Sequence, residues 1–194
     1  MTFVRQCFLG LYFAFYYLAS YSRDIIHLSY TDSLNLLLAM NGVGIIGRLG
    51  PNYIADRLGP LNVLLPVSTI AGICVLCWMA VSNQGGLYAW CIFYGMAAGG
   101  FQSLFPAGLT SLTTDLRKAG VRMGMVFTAN SFATLMGPPI CGAIITATEG
   151  GSYYGAQAFA GSTLLIGTGF LFASRVVKSR KEGREGVSPW RIRV

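Results

Sequence analysis

Charge is scarce in this sequence. Asp, Glu, Lys and Arg make up 11 % of its 194 residues, where a soluble domain carries about 25 %. Acidic residues are the rarest, 7 against 14 basic ones, and none lies inside a long apolar run. There is one histidine, His27. There is no G-x-S-x-G and no phosphate-binding glycine loop, so neither membrane hydrolysis nor ATP-driven transport is indicated. We expect no enzyme and no cofactor. The five cysteines, Cys7, Cys74, Cys77, Cys91 and Cys141, all sit in apolar runs. Cys74 and Cys77 have C-x-x-C spacing, but no second pair or ligating histidine accompanies them. They read as small packing residues, and no metal site is expected.

What the chain has instead is hydrophobic length. Mean hydropathy is +0.56, 54 % of residues are hydrophobic, and 25 are glycine. Several apolar runs approach 20 residues, enough to cross a hydrocarbon core about 30 Å thick. The expected fold is an all-α membrane bundle over residues 1–175. Its six transmembrane helices fall at about 3–22, 33–55, 61–82, 87–109, 123–148 and 154–173. A basic cytoplasmic tail follows over 176–194. The net charge of +7 does not point to nucleic acid. Seven of the basic residues stand at Arg175 or beyond, where they orient the chain and attract anionic lipid.

The first span is the weakest. Arg5 and Gln6 interrupt it and leave an apolar run over 7–19, which is short for a crossing. It could pass for a signal-peptide core with cleavage residues at Ala19, Ser20 and Ser22. Its aromatic density (Tyr12, Phe13, Phe15, Tyr16, Tyr17) is unlike a simple signal.

The second span carries the one internal arginine, Arg48. Asp32 and Ser33 are N-cap types for this helix. A charge at this depth costs at least about 2.5 kcal/mol unless it meets a polar cavity or a partner. The alternative is a side chain that snorkels to the headgroups. Gly44, Gly47 and Gly50 favour close packing over a lipid face. Asn41, Gly44 and Arg48 fall at i, i+3 and i+7 and share a face. The span ends in a charged corner, Asp56-Arg57-Leu58-Gly59, and Pro60 suits the first turn of the next helix.

Further along, Asn83-Gln84-Gly85-Gly86 reads as a turn. Gly95 and Gly99 let another backbone approach. Gln102, amid aromatics and one turn before Pro106, suits a cavity wall or an interhelical hydrogen bond. Residues 113–122 form a basic corner with Asp115, Arg117, Lys118 and Arg122. Asn130 precedes Gly137-Pro138-Pro139-Ile140-Cys141-Gly142, which predicts a kinked, closely packed helix.

The corner GPNYIADRLG resembles the loop signature of the major facilitator superfamily, which joins the second and third helices of each six-helix half. YSRDIIHLSYTDSLNLLLAMNGVGIIGRLGPNYIADRLGPLNVLLP is similar to the eighth helix and its flanks in fungal monocarboxylate-transporter-like members. The similarity continues through GGFQSLFPAGLTSL and RMGMVFTANSFATLMGPPICGAI. It runs from about Gly10 to about Arg175 and fits the C-terminal half only. Asn52 stands where the signature has glycine, and Pro60-Leu61 where it has a basic pair. Animal members often carry an aspartate one turn before the helix-8 arginine; here that position is Gly44.

Arginine and lysine collect on one side, at Arg5, Arg48, Arg57, Arg117, Lys118, Arg122 and the tail, against Arg23 on the other. Both termini and the corners at Asp56 and Asp115 are therefore expected in the cytoplasm. The membrane expected is the plasma membrane. The resemblance implies transport of a small organic anion by alternating access, with the option of proton symport. Arg48 would hold a carboxylate through two parallel hydrogen bonds. Asn41, Tyr17, Gln102 and Asn130 would complete the binding site, and Asp56, Arg57 and Gly59 would form a gating corner. The second reading is a truncated, transport-inactive fragment that needs the missing N-terminal half or a second copy.

Overall fold

The computed structural model describes residues 2–111, 119–148 and 151–183. Six long helices account for nearly all of them: α1 (Thr2–Asp24), α2 (Tyr30–Leu58), α3 (Pro60–Cys77), α4 (Gln84–Ser111), α5 (Ala119–Ala147) and α6 (Tyr154–Gly183). A 3₁₀ turn, Trp78–Ala80, extends α3. Among the described residues three segments are long and apolar enough to cross a membrane: Tyr30–Leu58, Pro60–Ala80 and Tyr154–Val177. In α1, α4 and α5 the hydropathy is diluted by tyrosine, glycine and hydroxyl or amide residues.

Several boundaries differ from the expected ones. Ser29, not Asp32 or Ser33, caps α2, its hydroxyl accepting from the Asp32 N–H at 3.1 Å. Ser33 instead turns inward, where its hydroxyl pairs with that of Ser22. The charged corner is not a loop, because α2 continues through Leu58. Gly59 alone breaks the chain, at φ 93° and ψ 141°, a conformation open essentially to glycine, and Pro60 starts α3 at once. Asn83 is the only part of the expected turn at 83–86 that lies outside α4; its side-chain oxygen accepts from Gly86 N–H at 2.6 Å. The double proline lies within a continuous α5. The helix α6 runs on to Gly183, past the expected end of the bundle at 175. In the basic corner, Asp115, Arg117 and Lys118 lie outside the described residues, as do residues 184–194.

Two kinds of contact hold the bundle. The first is aromatic. Trp78 stacks on Trp90 at 4.4 Å and Trp90 on Tyr94 at 4.8 Å, joining the end of α3 to α4. Two of the three polar ends are satisfied by backbone: Trp90 Nε1 donates to the Cys74 carbonyl and Tyr94 to the Leu11 carbonyl, each at 2.6 Å, while the buried Trp78 Nε1 has no partner. Such pairs add to area burial and fix helix register. The second is glycine contact. A Cβ on Gly10 would collide with the Ala160 carbonyl of α6. One on Gly95 or Gly99 would collide with the Met40 or Gly44 carbonyl of α2. The backbone approach expected at Gly95 and Gly99 is thus made, and by α2. With so little driving force between apolar helices in lipid, this close packing carries the association.

Candidate functional site

Because α2 and α4 touch backbone to backbone, side chains of the two helices meet just beyond the contact. A Cβ on Gly47 would strike the Met96 carbonyl, and one on Gly100 would lie 3.0 Å from the Gly47 carbonyl. Just beyond this seam the Arg48 guanidinium donates through Nη2 to Gln102 Oε1 at 3.5 Å. The hydroxyl of Ser103 reaches the Arg48 carbonyl at 3.4 Å. Tyr12 on α1 is close enough to interact electrostatically with Arg48. It rests on Phe8 and Phe15, with ring centroids 6.0 and 5.7 Å away.

The arginine is not enclosed by these six helices, as a buried site would require. Arg48 and Asn41 are exposed, while Gly44 between them is buried against α4. The three share a stretch of α2, but the glycine turns inward and the two polar residues face outward, beside Leu38, Ile45 and Leu49 at 70 %, 56 % and 70 % exposure. A half-open face that mixes leucine, isoleucine, an amide and a guanidinium is suited neither to water nor to lipid alone. The described carboxylates lie elsewhere. Asp24 holds the Tyr153 hydroxyl, Asp32 holds Ser29, and Asp56 is exposed about 12 Å along α2 from Arg48. The guanidinium therefore keeps most of its five donors free for an acceptor that the bundle does not supply.

The other expected residues are placed differently. Asn41 donates back to the Leu37 carbonyl of its own helix at 2.8 Å. Tyr17 is half-buried, and its hydroxyl donates to the Pro138 carbonyl of α5 at 2.8 Å. Gly142 leaves the room for that oxygen. Asn130 is buried, 7 % exposed, with Oδ1 unpartnered. It lies seven residues before Gly137, whose Cβ would meet the Leu9 carbonyl at 2.9 Å, so it faces α1. Arg48 and Gln102 are thus brought together, and Tyr17, Asn41 and Asn130 make no hydrogen bond to either. Ser103 and Tyr12 are neighbours that were not expected at the site: Tyr12 stood out only through the aromatic density of the first span, and Ser103 only through its place beside Gln102.

At the corner, Arg57 bonds the hydroxyl of Tyr53 one turn earlier and lies 4.9 Å from its ring centroid. Asn62 joins three helices there. It donates to the Leu58 carbonyl at 2.7 Å and accepts from Arg175 Nε of α6 at 2.7 Å. Asp56 and Arg57 are both exposed.

The sequence profile of the Major Facilitator Superfamily matches residues 2–138. The chain belongs to this superfamily. It is 52 % identical over 171 residues to an MFS-type transporter of Gibberella zeae, covering 87 % of this chain and 38 % of that protein. It is 31 % identical to an aspyridones efflux protein of Emericella nidulans, over 90 % of this chain and 35 % of that one. It is 34 % identical to an agnestins efflux protein of Paecilomyces divaricatus, over 87 % and 38 %. The chain thus spans less than two fifths of the length of these relatives. Its all-helical fold and its membrane character are those of the superfamily.

Proposed function

We propose that this chain forms the C-terminal six-helix half of a secondary transporter, and that Arg48 holds the carboxylate of a small, monocarboxylate-like organic anion. All six helices cross the bilayer, the termini lie in the cytoplasm, and the plasma membrane is the site of action. One observation carries the reading: a guanidinium within a helix long and apolar enough to cross a membrane, on a half-open face, whose side-chain hydrogen-bond partner is neutral and 3.5 Å away. Leaving it to lipid costs at least about 2.5 kcal/mol, so a polar cavity is the economical surrounding. A second six-helix unit laid against α2 and α4 supplies that cavity, and rocking of one unit on the other supplies alternating access. The relatives named as efflux proteins favour export. Among the described residues no carboxylate lies near Arg48 for proton symport to run through. Asp56, Arg57 and Gly59 serve as the gating corner, tied to α6 through Asn62 and Arg175.

The second reading is that the chain is inactive until such a partner unit, or a second copy, covers the open face. The experiment addresses both. Vesicles containing this chain with an N-terminal six-helix unit from a relative are assayed for movement of labelled pyruvate and benzoate. We expect movement with wild type, loss of at least tenfold with Arg48→Gln, and partial retention with Arg48→Lys. Unchanged movement with Arg48→Gln removes the arginine from the proposal.

A further inference from the structure

The open face beside Arg48 and Gln102 also receives two tyrosines from α1. Tyr12 and Tyr16 stand one turn apart on the same side of the helix, about 6 Å along its axis. Tyr12 interacts electrostatically with both Arg48 and Tyr16, so the row runs from the guanidinium past one phenol to the next. Among the described residues neither hydroxyl has a hydrogen-bond partner, whereas those of Tyr17, Tyr21, Tyr94 and Tyr153 all do. The two rings differ in their surroundings. Tyr12 is half-buried and braced by Phe8 and Phe15. Phe8 in turn meets Phe101 and Phe105 of α4 edge to face, at 5.4 and 5.0 Å. The ring of Tyr12 is thereby fixed, and its hydroxyl is the end left unengaged. Tyr16 is 57 % exposed and makes no ring contact, which leaves a flat apolar face bare.

We propose that Tyr12 and Tyr16 set the substrate class of the Arg48 site: a 2-oxo acid that carries an aromatic ring. The inference rests on the carboxylate reading of Arg48 given above and adds what lies next to the carboxylate. Arg48 takes the carboxylate itself. In a 2-oxo acid a second acceptor sits on the adjoining carbon, and the Tyr12 hydroxyl, a neutral donor beside the cation, donates to it. A dicarboxylate is less well matched. The next cation on α2, Arg57, lies about 14 Å further along the helix and bonds Tyr53. The ring of the acid lies against the bare face of Tyr16, in the offset or edge-to-face contact that aromatic pairs prefer. An aliphatic acid leaves Tyr16 uncovered, and an acid without the oxo group leaves the Tyr12 hydroxyl unpaired.

The test uses the chain paired with an N-terminal six-helix unit in vesicles, and four labelled acids. Benzoylformate has both the oxo group and the ring, phenylacetate the ring alone, pyruvate the oxo group alone, and propionate neither. Wild type should show the lowest KM for benzoylformate and the highest for propionate, each feature lowering it by about three- to tenfold. Tyr12→Phe, which keeps the ring packing, should abolish the preference for the oxo acids and retain the preference for the aryl acids. Tyr16→Leu, at an exposed position, should do the reverse. Each comparison is a ratio within one sample, so a smaller folded fraction cancels. Equal KM values for the four acids in wild type, or the same preferences in wild type and both variants, overturn the inference. Arg48→Gln, run alongside, tests the reading beneath it. A higher KM for all four acids upholds that reading, and four unchanged values defeat it, whatever the tyrosine variants show. Absence of movement of every acid in wild type overturns both.

Discussion

At Arg48 the chemistry is set by what faces the guanidinium. Gln102 offers a neutral acceptor at 3.5 Å, a weak contact that an incoming carboxylate displaces with two charge-assisted bonds. Replacing it with a fixed carboxylate, Gln102→Glu, should give Arg48 a permanent counter-ion. Transport of labelled anion should fall at least tenfold at pH 7 and recover in part as the pH drops through the carboxylate range. At the opposite end of the bundle, Tyr153 donates to Asp24, and burial followed by that bond pushes its hydroxyl pKa above the ordinary 10.0. A pKa raised on folding contributes stability that is full below the unfolded value and is lost as pH rises through the folded one. Tyr153→Phe should therefore lower stability by about 1 kcal/mol at pH 7. It should also flatten the decline above pH 10, which pH-dependent thermal unfolding in detergent will show. Arg48 was legible as a site because a lone charge inside an apolar run is conspicuous. Tyr17, Asn41 and Asn130 were equally conspicuous by type. Nothing in one sequence could tell that Tyr17 reaches the Pro138 carbonyl or that Asn41 turns back on its own helix.

Among the helices, the α2–α4 seam decides where Arg48 and Gln102 meet. Its glycines divide into two kinds. Gly47 and Gly99 face backbone carbonyls across the seam, whereas Gly42 and Gly50 face open space. Gly47→Ala or Gly99→Ala should push the helices apart and lower stability by roughly 1–3 kcal/mol. Gly42→Ala and Gly50→Ala should be neutral or stabilising by about 0.5–1 kcal/mol, because helical glycine is entropically unfavourable. Thermal midpoints of the four variants make this comparison, and equal effects in all four would refute the seam. Gly59→Ala should cost about 1–3 kcal/mol through its φ of 93°. Helix number and order were readable from the apolar runs, and the role of Gly95 and Gly99 from their spacing. The ends were not. Asp56 and Arg57 look like loop residues by type, but α2 carries them in its last turn, where a cation is favoured by the helix dipole. Likewise α6 outruns its apolar run, since lysine and arginine are good helix formers.

For the molecule as a whole, the open face is the central issue. It exposes Leu38, Ile45, Leu49 and Arg48 side by side. A lipid-facing surface would exclude the arginine, and a water-facing one the leucines. The proposed face between two transporter halves would accommodate both, packing at its rim and lining an aqueous path at its centre. The direct test is cysteine accessibility at position 48. In a background where Cys7, Cys74, Cys77, Cys91 and Cys141 are replaced by serine or alanine, Arg48→Cys is paired with an N-terminal six-helix unit in sealed vesicles. It is then exposed to a charged, membrane-impermeant methanethiosulfonate. The account predicts rapid modification from one side of the membrane, slowed by pyruvate or benzoate. A position 48 that resists the charged reagent and reacts only with a lipid-soluble maleimide would contradict it.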